Sequence, residues 1–147
     1  MTCNETIFDT VTSIEAYPFS GVSSTRTMNV HIKCVSEDDL DVGTSDMISV
    51  PMKPKTCNVS EKESLDIPGE SYEVTVSWQI QNVGNDTYKV LEELKEYPKH
   101  LILRTYSGKG YFVRSEEHSY NFSYIEKEGL IDCEISVHNR SGLQRIL

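Results

Sequence analysis

The sequence predicts a mainly β fold: a β-sandwich or β-roll with a single short α-helix packed on one sheet. Three observations carry that reading. Between Ser71 and Gln81, the residues Tyr72, Val74, Val76, Trp78 and Ile80 alternate without exception with Ser71, Glu73, Thr75, Ser77, Gln79 and Gln81. A period of two marks a strand with one dry and one wet face. Ile131, Cys133, Ile135 and Val137 alternate as cleanly with Asp132, Glu134, Ser136 and His138. Between the two lies one convincing helical period, Tyr88–Tyr97, with Tyr88, Leu91 and Leu94 on one side and Glu92, Glu93, Lys95 and Glu96 on the other.

The elements follow in chain order. Residues 3–17 are β-leaning through Ile7, Phe8, Val11 and Ile14, but their alternation is broken. Pro18 and Gly21 interrupt them, and Ser20–Thr25 reads as a loop. Thr27–Val35 predicts an amphipathic strand, with Met28, Val30, Ile32 and Cys34 opposite Asn29, His31 and Lys33. Residues 36–70 read as a long loop region of one β-rich domain spanning 1–147. Within it, Met47–Met52 and Thr56–Ser60 are short β-like pieces split by Pro51 and Pro54, and Glu61–Glu70 is a charged segment ending in Pro-Gly.

After the central strand, Asp86 or Thr87 is the expected helix cap, and Pro98 the stop. About ten residues do not hold a helix alone in water, so this one must lie on a sheet. Lys99–Tyr106 and Tyr111–Arg114 form the next predicted hairpin, around Gly108-Lys109-Gly110. Tyr120, Phe122 and Tyr124 alternate with Asn121 and Ser123, and Lys127-Glu128-Gly129 turns the chain into the last clean strand. The tail Asn139–Leu147 has two equal readings: it closes its own sheet, or it docks on a neighbouring subunit.

Composition narrows the function. The 147 residues carry 14 Lys and Arg against 23 Asp and Glu, a net charge of −9. Phosphate recognition needs clustered cations, and the nearest cluster is Lys53-Pro54-Lys55, so no tight nucleic-acid binding is expected. No apolar run approaches the length of a membrane span, and MTCNETIFDT has neither a basic segment nor an apolar stretch of the signal-peptide kind. The four cysteines, Cys3, Cys34, Cys57 and Cys133, lack CxxC spacing and are expected as free thiols.

No residue is assigned a catalytic, cofactor-binding or metal role, and no cofactor is implied. The acidic stretch 36–46 approaches a calcium loop, with Gly43 sixth from Asp38, but Leu40 and Val42 stand where ligands are required. His31, His100, His118 and His138 form no HExxH, no GxSxG is present, and Gly108-Lys109-Gly110 lacks the phosphate-loop spacing. Sequons occur at Asn4, Asn58, Asn85, Asn121 and Asn139. In a secreted eukaryotic chain these would be glycan acceptors; with no signal peptide visible they are read as turn chemistry, because Asn, Ser and Thr favour turns for backbone reasons.

In texture, SYEVTVSWQIQ, YKVLEELKEYP and NFSYIEKEGLIDCEISVHNRSG together resemble the tail-tube and head–tail joining proteins of tailed bacteriophages and prophages. The resemblance spans roughly the second half of the chain. It implies rings of identical subunits, sheets continued across subunit boundaries, and an acidic lumen; no functional residue is carried over. The expected function is therefore that of a virion structural protein, not an enzyme. Its expected partners are itself, as a homo-oligomer, and other virion proteins, assembled in the host cytoplasm. The alternative is an extracellular β-sandwich binding module.

Overall fold

The computed structural model describes residues 10–18, 34–35, 47–64, 71–81, 83–115 and 118–146. Among these, the chain forms ten strands and one helix. The strands are β1 Val11–Pro18, β2 Cys34–Val35, β3 Ile48–Ser49, β4 Asn58–Ser64, β5 Ser71–Ile80, β6 Lys99–Thr105, β7 Gly110–Val113, β8 Tyr120–Lys127, β9 Leu130–Asn139 and β10 Leu143–Ile146. The helix, α1, spans Asn85–Glu96 between β5 and β6.

The strands make two sheets. One has four strands in the order β4-β5-β9-β8, and the other six in the order β2-β10-β7-β6-β1-β3. All pairings are antiparallel except β10 with β2. Val74, Val76, Trp78, Ile80, Ile131, Ile135 and Phe122 from the first sheet share one core with Ile14, Ala16, Leu101, Leu103 and Val113 from the second. This is the mainly β, sandwich-like architecture expected, with a single short helix among the described residues.

The dry face of β5 is buried from Val74 to Ile80, with Val74 and Val76 at 0% exposure and Trp78 at 2%, and half-buried at Tyr72. The Trp78 ring stacks on Phe122 at 6.2 Å between centroids. The β8–β9 hairpin closes through Glu128 and Gly129, both at positive φ (50° and 81°). Two such residues in a row give the turn whose twist matches the paired strands, and glycine takes the second position without strain.

Helix α1 begins earlier than its periodicity predicts. Gly84, not Asp86 or Thr87, is the N-cap. Thr87 still serves the cap from inside the first turn: its hydroxyl accepts the Gly84 N–H at 3.2 Å, and its own N–H donates to the Gly84 carbonyl at 3.1 Å. Leu91 and Leu94 enter the common core, as expected, whereas Tyr88 and Tyr97 remain exposed. The helix is tied to β8 by the Tyr120 hydroxyl donating to the Leu94 carbonyl at 2.7 Å and by Tyr88 donating to Glu126 at 2.9 Å.

Two further expectations are corrected and one open alternative is decided. Glu61–Ser64, read as loop, continues β4 and pairs with β5 as far as Ser71. An edge strand needs no apolar outer face, so its charges hid it, and Glu61, Lys62 and Glu63 are all exposed. Gly110 belongs to β7 instead of the turn, pairing with Arg104 and Ile146, and a Cβ there would meet the Ile146 side chain at 3.2 Å. The tail takes the first of its two readings: β10 pairs with β7 and β2 of its own sheet. The strand expected over Thr27–Val35 is described only at Cys34–Val35, and the rest of it lies outside the described residues, as do 3–9, 19–33 and 36–46.

Candidate functional site

The outer face of the four-stranded sheet follows from its register. Asn58, Ser77, Glu134 and Ser123 lie opposite one another across four strands, and Gln79, Asp132 and Ile125 form the adjacent row. The Gln79 amide donates to Asp132 at 2.8 Å, and Ser136 donates to Glu73 at 3.3 Å. The segment before β4 is clipped to the end of β5. Lys53 N–H donates to the Gln79 carbonyl at 2.6 Å, and the Thr56 hydroxyl accepts the Gln79 N–H at 3.1 Å. This clip and the sheet bound an open depression of about 540 Å³ lined by Lys55, Asn58, Gln79, Ser123, Asp132 and Glu134. It offers hydroxyls, amides and carboxylates, with Ile125 at 60% exposure as an apolar point among them.

A second cavity, of about 620 Å³, opens where β1 begins and β6 ends. Val11, Met52, Pro54 and Tyr106 give it an apolar lining. The Tyr106 N–H is held by the Thr10 carbonyl at 2.9 Å, yet its side chain is 84% exposed. Lys55, at φ 66°, borders both cavities, so the 51–57 segment forms the wall between them.

The titratable groups of the described residues divide into solvated and structural. His118 and His138 are exposed, the latter on the wet face where its strand pattern placed it. His31 lies outside the described residues. His100 is different: it is 3% exposed, its Nδ1 accepts the Ser115 N–H at 3.0 Å, and its ring stacks on Phe112 at 5.8 Å. An Nδ1 that accepts a backbone N–H carries no proton, so the ring is fixed by the fold. Ser115 also donates its hydroxyl to the Lys99 carbonyl. Lys99 is buried with its ammonium on the Tyr97 carbonyl at 3.0 Å, and desolvation lowers its pKa.

The two cysteines whose side chains are described, Cys57 and Cys133, are free, as expected. Burial pushes both thiols up to about 12. A nucleophilic cysteine requires the opposite shift, toward thiolate at neutral pH, so both behave as small apolar side chains. No cluster of three or more His, Cys, Asp or Glu with metal-binding geometry occurs among the described residues. Sequence reasoning missed the burial of Lys99 and His100, for which a polar residue in an apolar run leaves no signal. It also missed the structural role of Asn139, whose amide donates to the Arg114 carbonyl at 2.6 Å and whose oxygen accepts the Gly142 N–H at 2.5 Å.

No family model matches the chain, and no solved structure does. The chain is similar to the large tegument protein deneddylase of Human herpesvirus 6B (strain Z29), with 26% identity over 109 residues. The aligned stretch covers 74% of this chain and 5% of that much longer protein. The similarity is thus to a segment of a virion component, and it is with a herpesvirus protein, not a phage one.

Proposed function

We propose that the chain is a structural module of a virion that acts by contact with other copies of itself and with other virion proteins. The observation that carries this reading is the similarity to one segment of a herpesvirus tegument protein along three quarters of the chain. The relative's name also attributes an activity to it. A match to 5% of its length is no ground for carrying that activity over to this chain, and the two described thiols, held up to about 12, are poor nucleophiles.

Two surface features support contact as the mode of action. Tyr106 stands 84% exposed beside the cavity lined by Val11, Met52 and Pro54. Tyrosine is enriched at interfaces because its ring buries area while its hydroxyl stays bonded. The formal charge of −9 disfavours adhesion to nucleic acid packed nearby. The finer form of the proposal is a ring-building subunit of the tail-tube or head–tail type.

Light scattering and negative-stain imaging of the purified protein test it. Rings, tubes or defined oligomers are the expected result, with Tyr106→Ser shifting the population toward monomer while leaving the melting temperature unchanged. A strict monomer at high concentration would overturn the self-contact reading.

A further inference from the structure

Five of the seven asparagines are followed two positions later by Ser or Thr. Ser and Thr make up about a fifth of the chain, so random placement gives about one or two such sequons. Turn chemistry is the ordinary explanation for an excess, and the structure allows Asn58, Asn85, Asn121 and Asn139 to be tested against it, while Asn4 lies outside the described residues.

Asn139 passes that test. It is 3% exposed, and its side chain is spent on the Arg114 carbonyl and the Gly142 N–H, where it fixes the turn between β9 and β10. Asn58 and Asn121 do not. Asn58 opens β4 and pairs with Ser77, and Asn121 lies within β8 and pairs with Ser136. Asparagine is disfavoured in strands. Both are exposed, as is Asn85 at the first turn of α1, and none of the three side chains makes a hydrogen bond among the described residues. The hydroxyl residues of the first and last, Ser60 and Ser123, are exposed as well, while that of Asn85 is the buried Thr87, which accepts the N–H of the N-cap Gly84.

We propose that Asn58, Asn85 and Asn121 are acceptors for N-linked glycans and that Asn139 is not. The side-chain amide nitrogen of each acceptor would form an N-glycosidic bond to the first sugar of a lipid-linked oligosaccharide, with the lipid pyrophosphate as leaving group and the amide proton lost. Asn58 and Asn121 project from the same outer face at its two margins, three strand spacings apart across the sheet and two residues offset along it, or roughly 16 Å. Sugars there cover the polar depression and leave the end of the sandwich near Tyr106 bare, so contact with other proteins falls to that end. The proposal also moves the chain from the cytoplasmic assembly expected from its sequence to a secretory lumen. It does not rest on the assembly reading, because glycans report compartment and not self-contact.

The test is to express the full natural polypeptide in mammalian cells and treat it with peptide-N-glycosidase. In an Asn4→Gln background, which removes the sequon lying outside the described residues, the expected result is a ladder of three steps under partial digestion, with Asn58→Gln, Asn85→Gln and Asn121→Gln each removing one step and Asn139→Gln removing none. Digestion in heavy-oxygen water, followed by peptide mass spectrometry, reads the same sites in the unmutated protein by conversion of Asn to labelled Asp. A mobility unchanged by the enzyme, with all three peptides at their unmodified masses, overturns the proposal. Label at Asn139 would overturn its structural half.

Discussion

The two sheets bury their residues differently. In β5 and β9 of the four-stranded sheet, every second side chain enters the core and the others face outward: Val74, Val76, Trp78 and Ile80 against Glu73, Thr75, Ser77 and Gln79. In β6 and β7 of the six-stranded sheet both faces are buried. Leu101, Leu103, Tyr111 and Val113 face the common core, while Ile102, Phe112 and Tyr17 form a second cluster on the opposite face. The consequence for reading a sequence is direct. A sheet with one wet face displays its period of two, whereas a sheet dry on both faces loses it and reads as an apolar run.

The largest expected effects test whether the second cluster is a true core. Trp78→Ala should cost about 3–5 kcal/mol, as deletion of a fully buried aromatic does. Phe112→Ala, at 0% exposure on the opposite face of the other sheet, should cost a comparable ~3–5 kcal/mol. Denaturant melts of both variants decide the matter. A near-neutral Phe112→Ala would show that the outer face of the six-stranded sheet is open to water and that the two sheets are alike. Trp78→Phe should be far milder than Trp78→Ala, since the indole N–H has no hydrogen-bond partner among the described residues and its loss costs nothing.

Next in size is Asn139→Ala, which leaves the buried Gly142 N–H without its acceptor and should cost about 1–3 kcal/mol. Asn121→Ala, on the wet face of the neighbouring strand, should change stability by less than about 0.5 kcal/mol. Thermal melts of this pair, both made in unglycosylated protein, separate a structural asparagine from an exposed one.

Alkaline pH probes both sheets at once. The Cys133 thiol and the Tyr17 phenol are each raised to about 12, from 9.0 and 10.0 respectively, mainly by desolvation. Between those ordinary values and about 12, the unfolded chain has released protons that the folded chain retains. Unfolding is then favoured by rising pH, so stability should fall from about pH 9 upward. Melting temperatures across that range check the sign, and Tyr17→Phe should flatten the upper part of the fall. The smallest effect expected is that of Gln79→Ala, which removes an exposed bond to Asp132 and should stay within about 0.5 kcal/mol.

Legibility followed the water. The β5, β8 and β9 strands and the Leu91–Leu94 face of α1 were all readable, because each borders solvent on one side and polar residues record that border. β1 was harder: Ala16 and Tyr17 are buried on opposite faces, and the register with β6 slips between Val11 and Ser13, so no clean alternation survives. β4 was truncated because its exposed edge carries Glu61, Lys62 and Glu63, which resemble a loop in composition. The surface cavities were not readable at all. Each gathers residues from distant segments, such as Lys55 with Asp132 or Val11 with Tyr106.

By itself the sequence determined the β class, the single short helix, the strands with one wet face and the acidic charge. These are local or additive properties, set by the period of hydrophobicity along a strand or by a count of ionisable groups. Only the tertiary structure decided that the tail closes its own sheet, that Lys99 and His100 are buried, and that Asn139 is structural while Asn58 and Asn121 stand free. Burial and hydrogen-bond partnership depend on which distant segments arrive alongside a residue, and nothing in its immediate neighbours encodes that arrival.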